Sequence, residues 1–405
     1  MNESHDDATY LQKLRWSIPW LIQYPLWRAK EITRRLFDEN GQTHVIFSVA
    51  NHYEPGMGKQ AISRIEKWMQ MARETGKAIR DHDDTPFRHT NFYPAEQYER
   101  PLLDMLAELQ SEGLGEVEIH LHHGVEAPDT AENTRRSLEE FRDRLAQDHM
   151  CLSRERKDGP TMYGFVHGNW ALANSAGGRW CGVDSELQIL AETGCYADFT
   201  LPSVPYQSQV PRINAIYECG YPLDQAKPHR GGASLAVGGQ PALPIIIEGP
   251  LVFDWSRRVR GFPIPRVDDG VLALNYPSNL NRFRRWYEAR VSVLGRREWI
   301  FVKLYCHGFF DWDQDAMIGN GLRHFMNQVL ELAEKTNSFK VHFATARETF
   351  NMVMAAVEGH SGSPHLYRNY KLKQIMKIDS LSSGDTELSE LALSKSTDAK
   401  VPFWE

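Results

Sequence analysis

The chain has 405 residues, of which 41% are hydrophobic and 24% charged, and a formal net charge of −7. That composition is globular, and the acidic balance removes any broad electrostatic case for binding nucleic acid. The five cysteines, at 151, 181, 195, 219 and 306, are odd in number and form no CxxC pair. This argues against a disulfide framework and a thiolate zinc site, and fits a reducing compartment.

The polar opening "MNESHDDATY" is unlike a secretory signal, and no apolar run reaches membrane-spanning length, so a cytoplasmic location is expected. Residues 11–37 mix Trp16, Trp20 and Trp27 with basic side chains and carry Pro19 and Pro25. They predict an arm, residues 1–40, with no single continuous helix. Packing of the arm on the main body and peripheral contact with a membrane surface are both open readings.

From residue 44 the pattern is regular. "HVIFSVANHYE" (44–54) predicts a strand, 62–80 a helix by its apolar spacing, "HTNFYP" (89–94) a short strand and 95–113 a helix. "EVEIHLHHGVE" (116–126) reads as a strand, 130–147 as an amphipathic helix and "TMYGFVHG" (161–168) as a strand. A helix over 185–194 and a strand over 196–203 follow. The region 204–298 is less regular, with one strong strand, "PIIIEGPLVF" (244–253), and a helix over 278–294. Regularity returns with "EWIFVKLYCHG" (298–308), a helix over 315–335, and "KVHFATA" (340–346) leading into "RETFNMVMAAVEG". Residues 361–405 carry few core-forming patterns and are expected to be a weakly ordered tail. Alternating strands and helices imply parallel pairing with crossover helices. Residues 41–360 are therefore expected to form an irregular α/β structure, a (β/α) barrel of seven or eight parallel strands, with an open doubly wound sheet as the alternative. Either fold carries its chemistry at the carboxyl ends of the strands.

Several strand ends are unusually polar. Side chains alternate across a strand. Ser48, Ala50, His52 and Glu54 therefore share one face against Phe47 and Val49, and Glu118, His120 and His122 oppose Val117, Ile119, Leu121 and His123. Tyr163, Phe165, His167 and Asn169 share parity, as do Lys303, Tyr305 and His307. Strands buried on both faces should read as near-continuous apolar runs, so the polar sets are expected to face a lumen near its mouth. Buried imidazoles need partners, and several converging on one rim suit a metal ion. His122, nearest the mouth, is the expected ligand, with His52 as its partner and His120 as a deeper ligand or support. Such a set suits a divalent metal: zinc first, then manganese, iron or cobalt.

"VANHYEP", "EIHLHHGVE", "GFVHGNW" and "KLYCHG" resemble, in order along residues 44–350, the motifs of the NodB-like polysaccharide deacetylases (carbohydrate esterase family four). They are closer to a divergent bacterial subgroup with NHxEP, HLHH and HGNW signatures that is associated with exopolysaccharide biosynthesis. The resemblance implies a (β/α) barrel, a divalent metal and deacetylation of an acetylated glycan or glycan precursor. It sets Asn51 where the family's base stands, His52 at a ligand position, and His122 and Glu126 at the two histidine-ligand positions. His167 falls where an arginine orients the base, and His307 at the general acid. Asn51 cannot take a proton, which makes Glu54 the base candidate. The expected catalytic set is thus Glu54, His167 and His307, and the metal set His52, His120, His122 and Glu126. Asn51, Tyr93, Asn169, Trp170, Asp198 and Arg347 are the expected substrate contacts, Trp170 by stacking on a sugar ring; the alternatives are an ion pair of Arg347 with Glu348 or a neighbouring carboxylate, and for Asp198 a helix cap or a contact that orients a histidine. A glycoside hydrolase using Glu54, Asp198 or Glu248, and a glycan-binding protein without turnover, are the alternatives.

Overall fold

In a computed structural model, which describes residues 8–35, 41–308, 310 and 312–376, strand β1 (Thr43–His52) is buried along its whole length. Its Val/Ile/Phe content suits burial on both faces. The parallel neighbours β2 (His89–Pro94), β3 (Gly115–Leu121), β4 (Thr161–His167), β5 (Cys195–Asp198) and β6 (Ile245–Ile247) follow from it in that order. On one edge of β1, β7 (Trp299–Cys306) pairs in parallel from His44 to Asn51; on the edge that meets β2 at Ala50–His52, β8 (Phe339–Ala344) pairs in parallel with residues Thr43 to Ser48. The helices are α1 (Tyr10–Arg35), α2 (Gly58–Ala78), α3 (Arg100–Ser111), α4 (Ala131–Gln147), α5 (Glu186–Thr193), α6 (Leu280–Ala289), α7 (Asn320–Thr336) and α8 (Ala346–Val357), with shorter turns between. The protein is thus α/β with a mostly parallel central sheet, as expected. Among the described residues no ladder joins β6 to β7, so strand pairing does not close the sheet into a barrel. Instead, the Lys303 ammonium on β7 donates to the carbonyls of Phe199 and Leu201, just beyond β5, at 2.7 and 2.6 Å.

The two faces of the sheet have separate cores. Val45, Phe47, Val49, Val117, Ile119, Val302 and Leu304 pack with α2, α3 and α7. Ile46, Ala50, Phe92, Val166 and Phe301 pack with Phe350, Met352 and Val353 of α8. Helix α8 is buried at nearly every position. It starts at a capping box, in which Thr345 and Glu348 exchange side-chain and backbone hydrogen bonds. Glu348 also accepts from Arg88 and Arg368, both at 3.0 Å.

The phase expected for β4 is reversed. Tyr163 and Phe165 lie in the helix-side core, and Val166 faces inward. Gly164 explains this, because a Cβ there would come within 2.8 Å of the Tyr196 hydroxyl. The inner side of β4 stays small to admit Tyr196. That hydroxyl donates to Glu118 at 2.6 Å, and the second Glu118 oxygen accepts from the Gly164 amide, also at 2.6 Å.

Two further expectations change. Helix α1 runs unbroken through Pro19 and Pro25. Tertiary contacts outweigh the local cost of proline: Trp20 is buried against Phe253, with ring centroids 5.5 Å apart, and Glu31 pairs with Arg297 at 2.6 Å. Leu11, Leu14, Ile18, Ile22 and Leu26 remain 45–74% exposed. The first part of the tail is built into the fold. Arg368 bridges Glu348 and Asp81, and Lys373–Gln374 pairs with Ser153–Arg154. The rest of the expected tail, 377–405, lies outside the described residues.

Burial pushes the Glu118 carboxyl up to about 8. The folded state therefore keeps a proton that the unfolded chain releases near 4.5, and stability falls as pH rises through that window. Glu118→Gln, which removes the titrating proton at nearly constant size, should be more stable than wild type at pH 8. Urea unfolding should show that advantage shrinking towards pH 5.

Candidate metal centre

The end of β3 presents two imidazoles to one side of the sheet. His120 Nδ1 lies 2.7 Å from the Val166 carbonyl. A carbonyl can only accept, so Nδ1 carries the proton and Nε2 keeps its lone pair. Among the described residues that buried Nε2 has no hydrogen-bond partner, and it stands 3.5 Å from Glu54 Oε1. His122 repeats the arrangement, with Nδ1 2.6 Å from Glu96 Oε1 and Nε2 3.7 Å from Glu54 Oε1. Ligand atoms of Glu54, His120 and His122 all fall within 4.8 Å of one another. Metal-bound histidines characteristically donate their other ring N–H to a carbonyl or carboxylate, which fixes the tautomer and aims the ligand nitrogen. An orphaned buried acceptor costs about 1–3 kcal/mol when nothing fills it. Two imidazoles and one carboxylate make a ligand set that can hold a metal ion.

Local structure explains how these groups meet. Glu54 follows the end of β1, and Glu96 lies on the single 3-10 turn Ala95–Gln97 that Pro94 starts after β2. His122 needs a gap beside β4, which Gly168 provides: a Cβ there would lie 2.4 Å from the His122 ring. Burial alone would raise the Glu54 carboxyl, but when His120 and His122 carry a proton on Nε2 their charge outweighs it and holds the group down to about 2. Burial also opposes protonation of His122, yet Glu96 and Glu54 overcome it and move that imidazole upward.

A second ring of side chains surrounds this centre. The buried His52 ring lies 5.3 Å from that of His120 and 4.8 Å from that of His307. Trp170 stands 6.3 Å from His52 and 6.0 Å from His307, stacked at 15° on Tyr206. Burial lowers both His52 and His307, and for His52 the neighbouring imidazoles add to the effect. Both rings are therefore neutral near pH 7.

The structure thus brings together His52, Glu54, His120, His122, Trp170 and His307. It sets the other expected residues elsewhere. Glu126 is exposed in the loop after β3 and stands outside the ligand group. Asn51 lies fully buried, accepting from the Gly308 amide at 2.8 Å and donating to Asn91 at 2.9 Å, so it ties strand ends together. Tyr93 belongs to the helix-side core, where its hydroxyl donates to the Gln97 carbonyl. Asn169 sits half-buried in the turn after β4 with φ 54. Asp198 is fully buried and accepts from the Thr200 amide and hydroxyl. The Glu248 carboxylate accepts from the Ala215 amide. Arg347 is locked against Glu116 at 2.8 and 3.2 Å and against backbone carbonyls, which leaves it unable to grip a substrate. His167, following the reversed phase of β4, turns to the helix side and meets His123 and Glu186. His123 points there too, as its opposite parity to His122 requires.

Sequence reasoning missed Glu96, Cys181 and Glu186. An acidic residue directly after a β-strand stop was the available signal for Glu96. The Gly-rich run 165–187 held Cys181 and Glu186, but nothing local tied either to a histidine.

A scan against protein-family models finds no match for the chain, and a search of curated proteins finds none either.

Arg347→Met should leave Glu116 buried without its counter-charge and cost about 3–5 kcal/mol of stability. Urea denaturation would read that loss, while metal content, measured on the folded protein, should stay unchanged.

Proposed function

We propose that the protein is a metal-dependent hydrolase that removes acetyl groups from a glycan or glycan precursor, with a divalent cation, zinc by its ligand chemistry, held by Glu54, His120 and His122. The observation that carries this reading is the buried, unpartnered Nε2 of His120, aimed with His122 Nε2 at the Glu54 carboxylate. A cation bound there supplies Lewis acidity and a water of lowered pKa. Glu54 is then a ligand and no longer the base, because its carboxylate stands within ligand-group distance of both imidazoles. His307, a neutral imidazole, takes the proton of the attacking water and returns it to the leaving amine or alkoxide. Burial, with the nearby His120 and His122 rings, favours that neutral form. Trp170 offers an apolar wall against which a sugar ring can lie.

The order of the strand-end motifs supports a NodB-like deacetylase. In this reading the open strand path is an irregular (β/α) barrel whose seam is bridged by the Lys303 side chain. Five buried, unpaired cysteines support a reducing, cytoplasmic setting. The exposed apolar row on α1 supports peripheral contact with a membrane surface. Co-sedimentation of the chain with lipid vesicles should accordingly fall on Ile22→Glu with Leu26→Glu.

Acetate release from a panel of N- and O-acetylated oligosaccharides tests the activity. His307→Ala should lower kcat by about 10²–10⁴-fold with metal retained. His122→Ala should lose both the activity and the metal of this site, read by elemental analysis. Wild-type protein that carries no metal at this centre and releases no acetate would sink the reading; release of reducing sugar instead would make the enzyme a glycosidase.

A further inference from the structure

We infer that His123, His167, Cys181 and Glu186 form a second metal site, closed and structural, on the opposite side of the sheet from the centre above. All four are buried, and one ligand atom from each lies within 4.8 Å of the others. They come from four separate segments: the loop after β3, the end of β4, the following Gly-rich loop and the first residue of α5.

The tautomers are fixed as at the first centre. His123 Nδ1 faces the Asp129 carboxylate at 2.9 Å, and His167 Nδ1 faces the Gly168 carbonyl. Both Nδ1 atoms must donate, so in the neutral rings both Nε2 atoms keep their lone pairs. These two atoms lie 3.1 Å apart, with Glu186 Oε1 at 2.9 and 3.2 Å. Three acceptors turned on one another in a buried pocket repel unless positive charge sits among them. The sulfur completes the set. Cys181 Sγ lies at 3.3 Å from the Asn174 amide and 3.4 Å from the Val183 amide, two backbone donors that favour a thiolate. The second Glu186 oxygen accepts from the Ala173 amide at 2.6 Å and lies 3.6 Å from Cys181 Sγ, while Oε1 faces the two Nε2 atoms.

Two nitrogens, one sulfur and one carboxylate oxygen, all buried, give a four-ligand set with no solvent-open position, the pattern of a structural zinc. Its work is to fasten the loop between β4 and α5, which carries Trp170 to His52 and His307. The backbone is built for that fastening. The Asp129 amide donates to the Cys181 carbonyl and the Trp180 amide to the Gly124 carbonyl, at 2.8 and 2.9 Å. Gly124, at φ +62, could carry no Cβ, which would lie 2.2 Å from the Cys181 carbonyl oxygen.

The rival occupant of this pocket is a proton pair, two imidazoliums held by Glu186 and Asp129. Cobalt(II) separates the two, using the full chain stripped with chelator and reloaded. The first centre contains no sulfur, so a thiolate-to-cobalt charge-transfer band in the near ultraviolet reports on Cys181 alone. Wild type should show that band and bind a second equivalent of metal beyond that of the first centre. X-ray absorption of the zinc form should contain a Zn–S distance of about 2.3 Å. Cys181→Ser should lose the band and one equivalent, whereas His122→Ala should keep the band and lose the other. A wild type with no band and only nitrogen and oxygen scatterers overturns the proposal, as does a band that survives Cys181→Ser. If that variant fails to fold, the wild-type spectra decide alone.

Discussion

A β-strand sends consecutive side chains to opposite faces, and at the end of β3 this rule acts on neighbouring histidines. His120 and His122 fall on one side and His123 on the other. A buried ring nitrogen is costly to leave unpaired, and each of the three draws a carbonyl or carboxylate to its Nδ1: Val166, Glu96 and Asp129. Much of the surrounding architecture follows from satisfying those imidazoles. The 3-10 turn after β2 supplies Glu96, the β4–α5 loop supplies Cys181, and the start of α5 supplies Glu186.

The interior polar groups away from these centres obey a different logic. Glu116 with Arg347, and Glu348 with Arg88 and Arg368, are charges removed from water and matched at close range. Matched pairs of this kind add little net stability but are costly to break. They pin α8 and the segment 361–376 to the sheet, and they hold geometry without being available to a ligand. Arg347, Asn51 and Asp198 read in the sequence as substrate contacts because polar residues near strand ends can serve either use. Burial and hydrogen-bond partners are what tell the two apart.

Period-two alternation made most of the sheet legible. On β1, β3 and β7 the apolar and polar sets separate cleanly, and the faces follow. On β4 they do not, because its phase is decided by Gly164 yielding space to Tyr196, a contact between strands that no local pattern encodes. The continuity of α1 was hidden for a similar reason, since two prolines argue locally against a helix that Trp20 and Glu31 secure at long range. His52, Glu54, His120, His122 and His307 were visible as a convergent set. Glu54 changes from base to ligand in the function proposed, because its position between two imidazoles is a three-dimensional fact. The absence of a CxxC pair argued against sulfur ligation, but a mixed ligand set needs only one sulfur, and its partners come from distant loops.

Gly168 binds nothing, yet both histidine groups depend on it. Its missing side chain leaves the space through which the His122 ring passes, and its carbonyl accepts from His167 Nδ1. One residue thus sets the clearance on one side of the sheet and the ring tautomer on the other. In a survey of sequence tolerance, position 168 would rank with the ligands themselves, because any side chain there would press on the His122 ring. At this glycine the two sides of the sheet meet in one residue.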